Sequence, residues 1–84
     1  MVYYLITCRS LTYAQRTARV LERAGITAVI LRAPRELSRA GCGYCVKVSN
    51  RRLSQALRVL KQADVSYNKV YIVHPNGETA EVAL

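Results

Sequence analysis

Two amphipathic helical stripes, each set between short runs of β-branched and aromatic residues, constrain this chain more than any other feature. Leu11, Ala14, Ala18 and Leu21 recur at helical intervals, with Val20 and Ala24 widening the stripe and arginines opposite. Leu53, Ala56, Leu57, Leu60 and Ala63 repeat the pattern later. Residues 2–8, 27–32, 43–49 and 66–74 read as strands. In the third run Tyr44, Val46 and Val48 alternate with Cys45, Lys47 and Ser49, the mark of a strand with one apolar face. The punctuation agrees. Ser10 or Thr12 caps the first helix, Thr12 standing in capping-box spacing with Gln15. Gly25 stops that helix, Ala33-Pro34 ends the second strand, and Ser49 or Asn50 caps the second helix. Pro75-Asn76-Gly77-Glu78 is a turn, and the tail from Thr79 to Leu84 either folds back as a short edge strand or stays loose.

The order is therefore β-α-β-β-α-β. Short connections and right-handed crossovers predict an α+β fold, a ferredoxin-like α/β sandwich. Its antiparallel sheet is ordered 4-1-3-2, with both helices on one face and a short C-terminal strand as an optional addition at the edge. At 84 residues, the chain is expected to be one domain over 1–84. A hydrophobic share of 51% suits a packed core and argues against disorder. No apolar run approaches the roughly 20 residues that cross a bilayer. Met1-Val2-Tyr3-Tyr4-Leu5-Ile6 has neither a basic leader nor a cleavage site. Three cysteines are an odd number, which fits reduced thiols better than a paired framework. A cytoplasmic protein without a membrane partner is the expectation.

Thirteen basic residues against five acidic ones give a formal charge of +8, and ten of the thirteen are arginine. Such a balance attracts polyanions and acidic partners. The arginines are scattered along the chain, whereas a dedicated nucleic-acid reader gathers them on one face. A solvated surface is the simpler reading. Arg51-Arg52 at the start of the second helix opposes its dipole. The pair marks either an anion or partner contact, or plain solvation.

Chemistry concentrates in Pro34-Arg35-Glu36-Leu37-Ser38-Arg39-Ala40-Gly41-Cys42-Gly43-Tyr44-Cys45, which holds two of the three cysteines. A thiol reacts as its thiolate, and nearby cations and unpaired backbone N–H groups stabilise that form. In the predicted topology the end of strand 1, with Cys8, lies beside the start of strand 3, with Cys42 and Cys45. The start of the first helix and Arg9, Arg35 and Arg39 fall near the same end. Gly41 and Gly43 flank Cys42 and leave it accessible, so Cys42 is the candidate reactive thiol. Cys8 reads as core filler, and Cys45 stands open between filler and resolving thiol.

Cys42-Gly43-Tyr44-Cys45 is formally a C-x-x-C, but that motif normally opens a helix and here a strand follows. Residues three apart in an extended strand point to opposite faces, so a disulfide would need a local turn. Three thiols fall short of a structural zinc site, and the single histidine, His74, falls at the C-terminal end of strand 4, at the opposite edge of the predicted sheet. No metal or other cofactor is expected. No Ser-His-Asp set, acidic pair, phosphate loop or dinucleotide fingerprint is visible, which disfavours a stand-alone hydrolase or kinase.

With Pro34-Arg35-Glu36-Leu37-Ser38 followed by Cys42-Gly43, the chain resembles the selenium/sulfur carrier-like family of small bacterial proteins. Tyr4-Leu5-Ile6-Thr7, Ala24-Gly25-Ile26 and the helix from Leu53 to Leu60 extend the likeness over most of the chain. The resemblance implies that Cys42 carries sulfur or selenium as a persulfide or selenenyl-sulfide. Pro34, Arg35 and Ser38 would shape the loop around it and Gly43 would give room. Two departures stand out: the Ser38–Cys42 spacing is one residue longer than in the commonest form, and Cys45 adds a thiol.

Three functions are then in view. The first is a carrier rather than an enzyme, loaded by a donor such as a cysteine desulfurase and emptied by an acceptor enzyme. The second is a nucleic-acid-binding module, since RNA-recognition motifs share this element order and stack bases on sheet aromatics. Tyr67 and Tyr71 are expected with Lys69 on the open face, joined by Cys45 and Lys47. The third is a regulatory homodimer formed through that open face.

Overall fold

A computed structural model of the chain describes residues 2–34, 37 and 43–83. Strand β1 spans Tyr3–Cys8, helix α1 Leu11–Arg23, β2 Val29–Arg32 and β3 Tyr44–Ser49. A 3-10 turn over Asn50–Arg52 leads into α2, Leu53–Gln62, followed by β4, Val70–Val73, and β5, Thr79–Glu81. The fold is α+β and broadly ferredoxin-like.

The sheet is antiparallel throughout and ordered β2-β3-β1-β4-β5. This corrects the four-stranded expectation of 4-1-3-2: the described residues form five strands, and read from the far edge the order is 5-4-1-3-2. The fifth arises because Pro75-Asn76-Gly77 closes a hairpin. The Gly77 N–H donates to the His74 carbonyl, the His74 N–H donates to Glu78, and Gly77 takes φ +90°, a value open to glycine.

Both helices pack against each other and on one face of the sheet. Period-2 alternation sends Ile6 and Cys8 of β1, Val46 and Val48 of β3, and Val70 of β4 towards them, all at most 1% exposed. Ala14, Ala18 and Leu21 of α1 and Ala56 and Leu60 of α2 complete that core. Thr17 is also fully buried, whereas Leu11, in the first helical turn, is 40% exposed and Ala63, at the C-cap, lies outside the core.

The helix ends show which punctuation the backbone obeys. Ser10 caps α1, its Oγ accepting from the Tyr13 N–H at 3.3 Å, and Thr12 falls inside the first turn. Helix α1 stops at Gly25, φ +82°, with the Ile26 N–H reaching back to the Leu21 carbonyl. Helix α2 closes the same way, the Val65 N–H donating to the Leu60 carbonyl, but Asp64 takes the left-handed position at φ 57°. The expected Ser49 or Asn50 cap is corrected: neither makes a side-chain capping bond to α2, because the 3-10 turn intervenes. Arg52 is the N-cap residue, and its guanidinium donates to the Gly25 carbonyl at 3.1 Å and to Gln55 Oε1 at 2.6 Å. It therefore ties the start of α2 to the end of α1.

Strand β4 begins at Val70 rather than at residue 66. Just before it the chain meets Thr7, whose hydroxyl accepts from the Lys69 N–H at 3.0 Å and donates to the Lys69 carbonyl at 3.1 Å. The Thr7 N–H still donates to the Lys69 carbonyl and the Thr7 carbonyl accepts from Asn68, so the hydroxyl takes the one N–H, that of Lys69, which this shifted pairing leaves over. Strand β2 likewise starts at Val29 rather than 27.

Candidate functional site

The candidate segment leaves β2 and returns as β3. Its base is closed by the Ala33 N–H donating to the Gly43 carbonyl at 2.7 Å. Cys42, with Arg35, Ser38, Arg39 and Gly41, lies outside the described residues. Pro34, Leu37, Gly43 and Cys45 are described and define where the segment meets the sheet.

The Leu37 N–H donates to the Pro34 carbonyl at 2.9 Å, a turn that proline favours by fixing its own φ. Leu37 packs, with Ala33 and Tyr3, on a second apolar cluster made by Leu5, Cys45 and Val73. That cluster is on the face of the sheet opposite the helices, as the register shows. Leu5 pairs with Lys47 and Tyr71, Thr7 with Cys45, and Cys45 with Leu31. Leu37 was not singled out from sequence; an apolar residue amid arginines is the signal that marks it.

The register puts Cys8 opposite Tyr44 and Cys45 opposite Thr7, so the two thiols sit in adjacent rows at one end of the sheet. They share an end but not a face. Cys8 points to the helices, its Sγ 3.7 Å from Thr17 Oγ1 and donating to the Ile6 carbonyl at 3.7 Å. Cys45 points to the open face beneath Leu37. Both are 0% exposed.

Arg9 is exposed at the start of α1, with its guanidinium 4.6 Å from the Tyr13 ring centroid. Arg32 lies 5.4 Å from the Tyr44 centroid. A Cβ on Gly43 would stand 3.5 Å from Arg32 Nη1, ordinary van der Waals contact, so no described residue requires glycine there. His74 is exposed at the far end of β4, where Tyr3 pairs with Val73.

Among the described residues, no helix packs on the rest of the open face. Tyr71, Cys45 and Lys47 are there as expected, but Tyr67 is corrected: it precedes β4 and packs with the helix-side core. Base stacking on a Tyr67–Tyr71 pair therefore loses one of its two rings. Towards β2, a groove of about 730 Å³ runs between Tyr3, Val29, Lys47 and Arg51. The Lys47 ammonium lies 4.4 Å from the Tyr3 ring centroid. Among the described residues no helix is long and apolar enough to cross a membrane.

No curated protein and no solved structure matches the chain. A family model does match, across residues 3–72, which takes in both helices and the first three strands together with the whole cysteine-bearing segment. By that match the chain belongs to the family described as "Putative Se/S carrier protein-like".

Proposed function

We propose that the protein is a sulfur or selenium carrier of the bacterial cytoplasm, with Cys42 as the carrier atom's anchor. Membership of the family over residues 3–72 is the observation that carries this reading. The anchoring of the segment supports it: the Ala33–Gly43 hydrogen bond and the packing of Leu37 fix both sides of Cys42 to the sheet.

In the loading step the Cys42 thiolate attacks the outer sulfur of a donor enzyme's persulfide. A new S–S bond forms at Cys42, the donor's S–S bond breaks, and the donor cysteine leaves as thiolate. Delivery is the same exchange in reverse, with an acceptor's nucleophile taking the outer sulfur and Cys42 leaving. No net oxidant is needed in either direction. Arg35 and Arg39 supply positive charge that favours the thiolate, and Pro34 and Ser38 shape the turn that holds it. Cys45 is the candidate resolving thiol. Its attack on the inner sulfur of a Cys42 persulfide would expel hydrosulfide and leave a disulfide. Having no solvent exposure, Cys45 acts on neighbours within the protein.

Incubation with a cysteine desulfurase and cysteine should add the mass of one sulfur atom, and Cys42→Ser should abolish the gain. Equal loading of Cys42→Ser and the wild type would overturn the assignment.

A further inference from the structure

The two edges of the sheet are not alike. Strand β5 is three residues long and carries Glu81, whose carboxylate pairs with Lys69 at 3.4 Å. Short, charged edges resist further pairing. Strand β2 is the other edge, paired among the described residues with β3 alone, and reads Val29-Ile30-Leu31-Arg32. Val29 is 45% exposed and Leu31 37%, two residues apart and on the open side. Beside Val29 lies the groove that reaches Tyr3, Lys47 and Arg51, and among the described residues none that line it is acidic.

We infer that β2 and this groove form a docking surface for an extended, acidic segment of a partner protein. The segment adds as a strand along β2 and lays its carboxylates against Lys47 and Arg51. Strand addition reads side chains at every second position, the spacing of Val29 and Leu31, and gains main-chain hydrogen bonds from an open edge. The net charge of +8 and the basic groove select for acid. The same charge opposes a second copy of this chain. RNA is disfavoured because Lys47 already covers a face of the Tyr3 ring and the edge itself is aliphatic. As the seat of a donor or acceptor enzyme the surface rests on the carrier reading, whereas its shape and charge do not.

The test uses the isotopically labelled full chain, titrated with a blocked peptide of alternating glutamate and valine and followed by NMR. Shifts should concentrate at Val29–Arg32, Lys47 and Arg51. Lys47→Glu and Val29→Glu, both at exposed positions, should each weaken binding by at least about tenfold. A peptide N-methylated at alternate residues should lose binding, because it cannot pair with an edge. Shifts elsewhere, unchanged affinity in Lys47→Glu, equal binding of the N-methylated peptide, or tighter binding of oligouridylate at the same residues would each overturn the inference. Peptide binding should persist in Cys42→Ser. Failure of the wild-type chain to take up sulfur, with intact peptide binding, would sink the carrier reading alone. Intact loading without peptide binding would sink the docking surface alone.

Discussion

Cys8 and Cys45 occupy neighbouring rows of one sheet and are equally inaccessible, yet they are buried by different means. Cys8 is sealed by α1, whose Thr17 stands against its sulfur. Among the described residues, Cys45 is sealed by Leu5 and Val73 on the same face, with Tyr3, Ala33 and Leu37, the last from the segment that also bears Cys42, packed against that cluster. The helix-covered face is thus a permanent core. Part of the open face is a core to which Leu37 of the candidate segment contributes. Equal burial therefore conceals unequal stability: opening Cys8 means undocking a helix, whereas opening Cys45 means lifting side chains that include Leu37 of the candidate segment.

The comparison breaks most visibly at Ile6, which is fully buried on the helix side. Ile6→Ala should cost about 2–5 kcal/mol in denaturant unfolding, and a smaller loss would mean that the helix-side core is looser than described. Leu37→Ala comes next. It should cost about 1–2 kcal/mol, because Leu37 is only half-buried. Under reducing conditions it should also speed alkylation of Cys45 by about five- to tenfold and leave Cys8 unchanged. Equal acceleration of both thiols would erase the distinction. Ser10→Ala should remove the α1 cap for about 1 kcal/mol and expose neither sulfur preferentially. The smallest effect belongs to Glu81→Ala, at most about 0.5 kcal/mol and vanishing in high salt, since both partners of the Lys69–Glu81 pair are more than half exposed.

The helix-covered face was readable because alternation in Tyr44-Cys45-Val46-Lys47-Val48 and the 3.6-residue stripes report burial directly. The boundaries were less so. Thr7 takes up the spare Lys69 N–H with its own hydroxyl, an event that no pattern of hydrophobicity records, and β4 begins only at Val70. Arg52 looked like an unfavourable charge at a helix start, and its purpose depends on Gly25, distant in the chain. The placement of Cys8 and Cys45 at one end of the sheet followed from topology, and alternation already set Cys45 on the open face and Cys8 in the core; the register adds that they stand in adjacent rows. The cover that Leu37 provides left only a faint mark: one apolar residue amid arginines stands out, but without periodicity it does not say what it packs on.

The hydrogen bond between Ala33 and Gly43 has a consequence for how the segment can change over evolutionary time. It pins the point where the chain leaves the sheet to the point where it returns, so the strands do not register what length of polypeptide lies between. Closure entropy grows only with the logarithm of that length, and one inserted residue in a loop of this size shifts it by about 0.1 kcal/mol. An additional residue between Ser38 and Cys42 is therefore nearly neutral for the scaffold. Selection is left free to adjust the reach of the sulfur by insertion or deletion without rebuilding the domain beneath it.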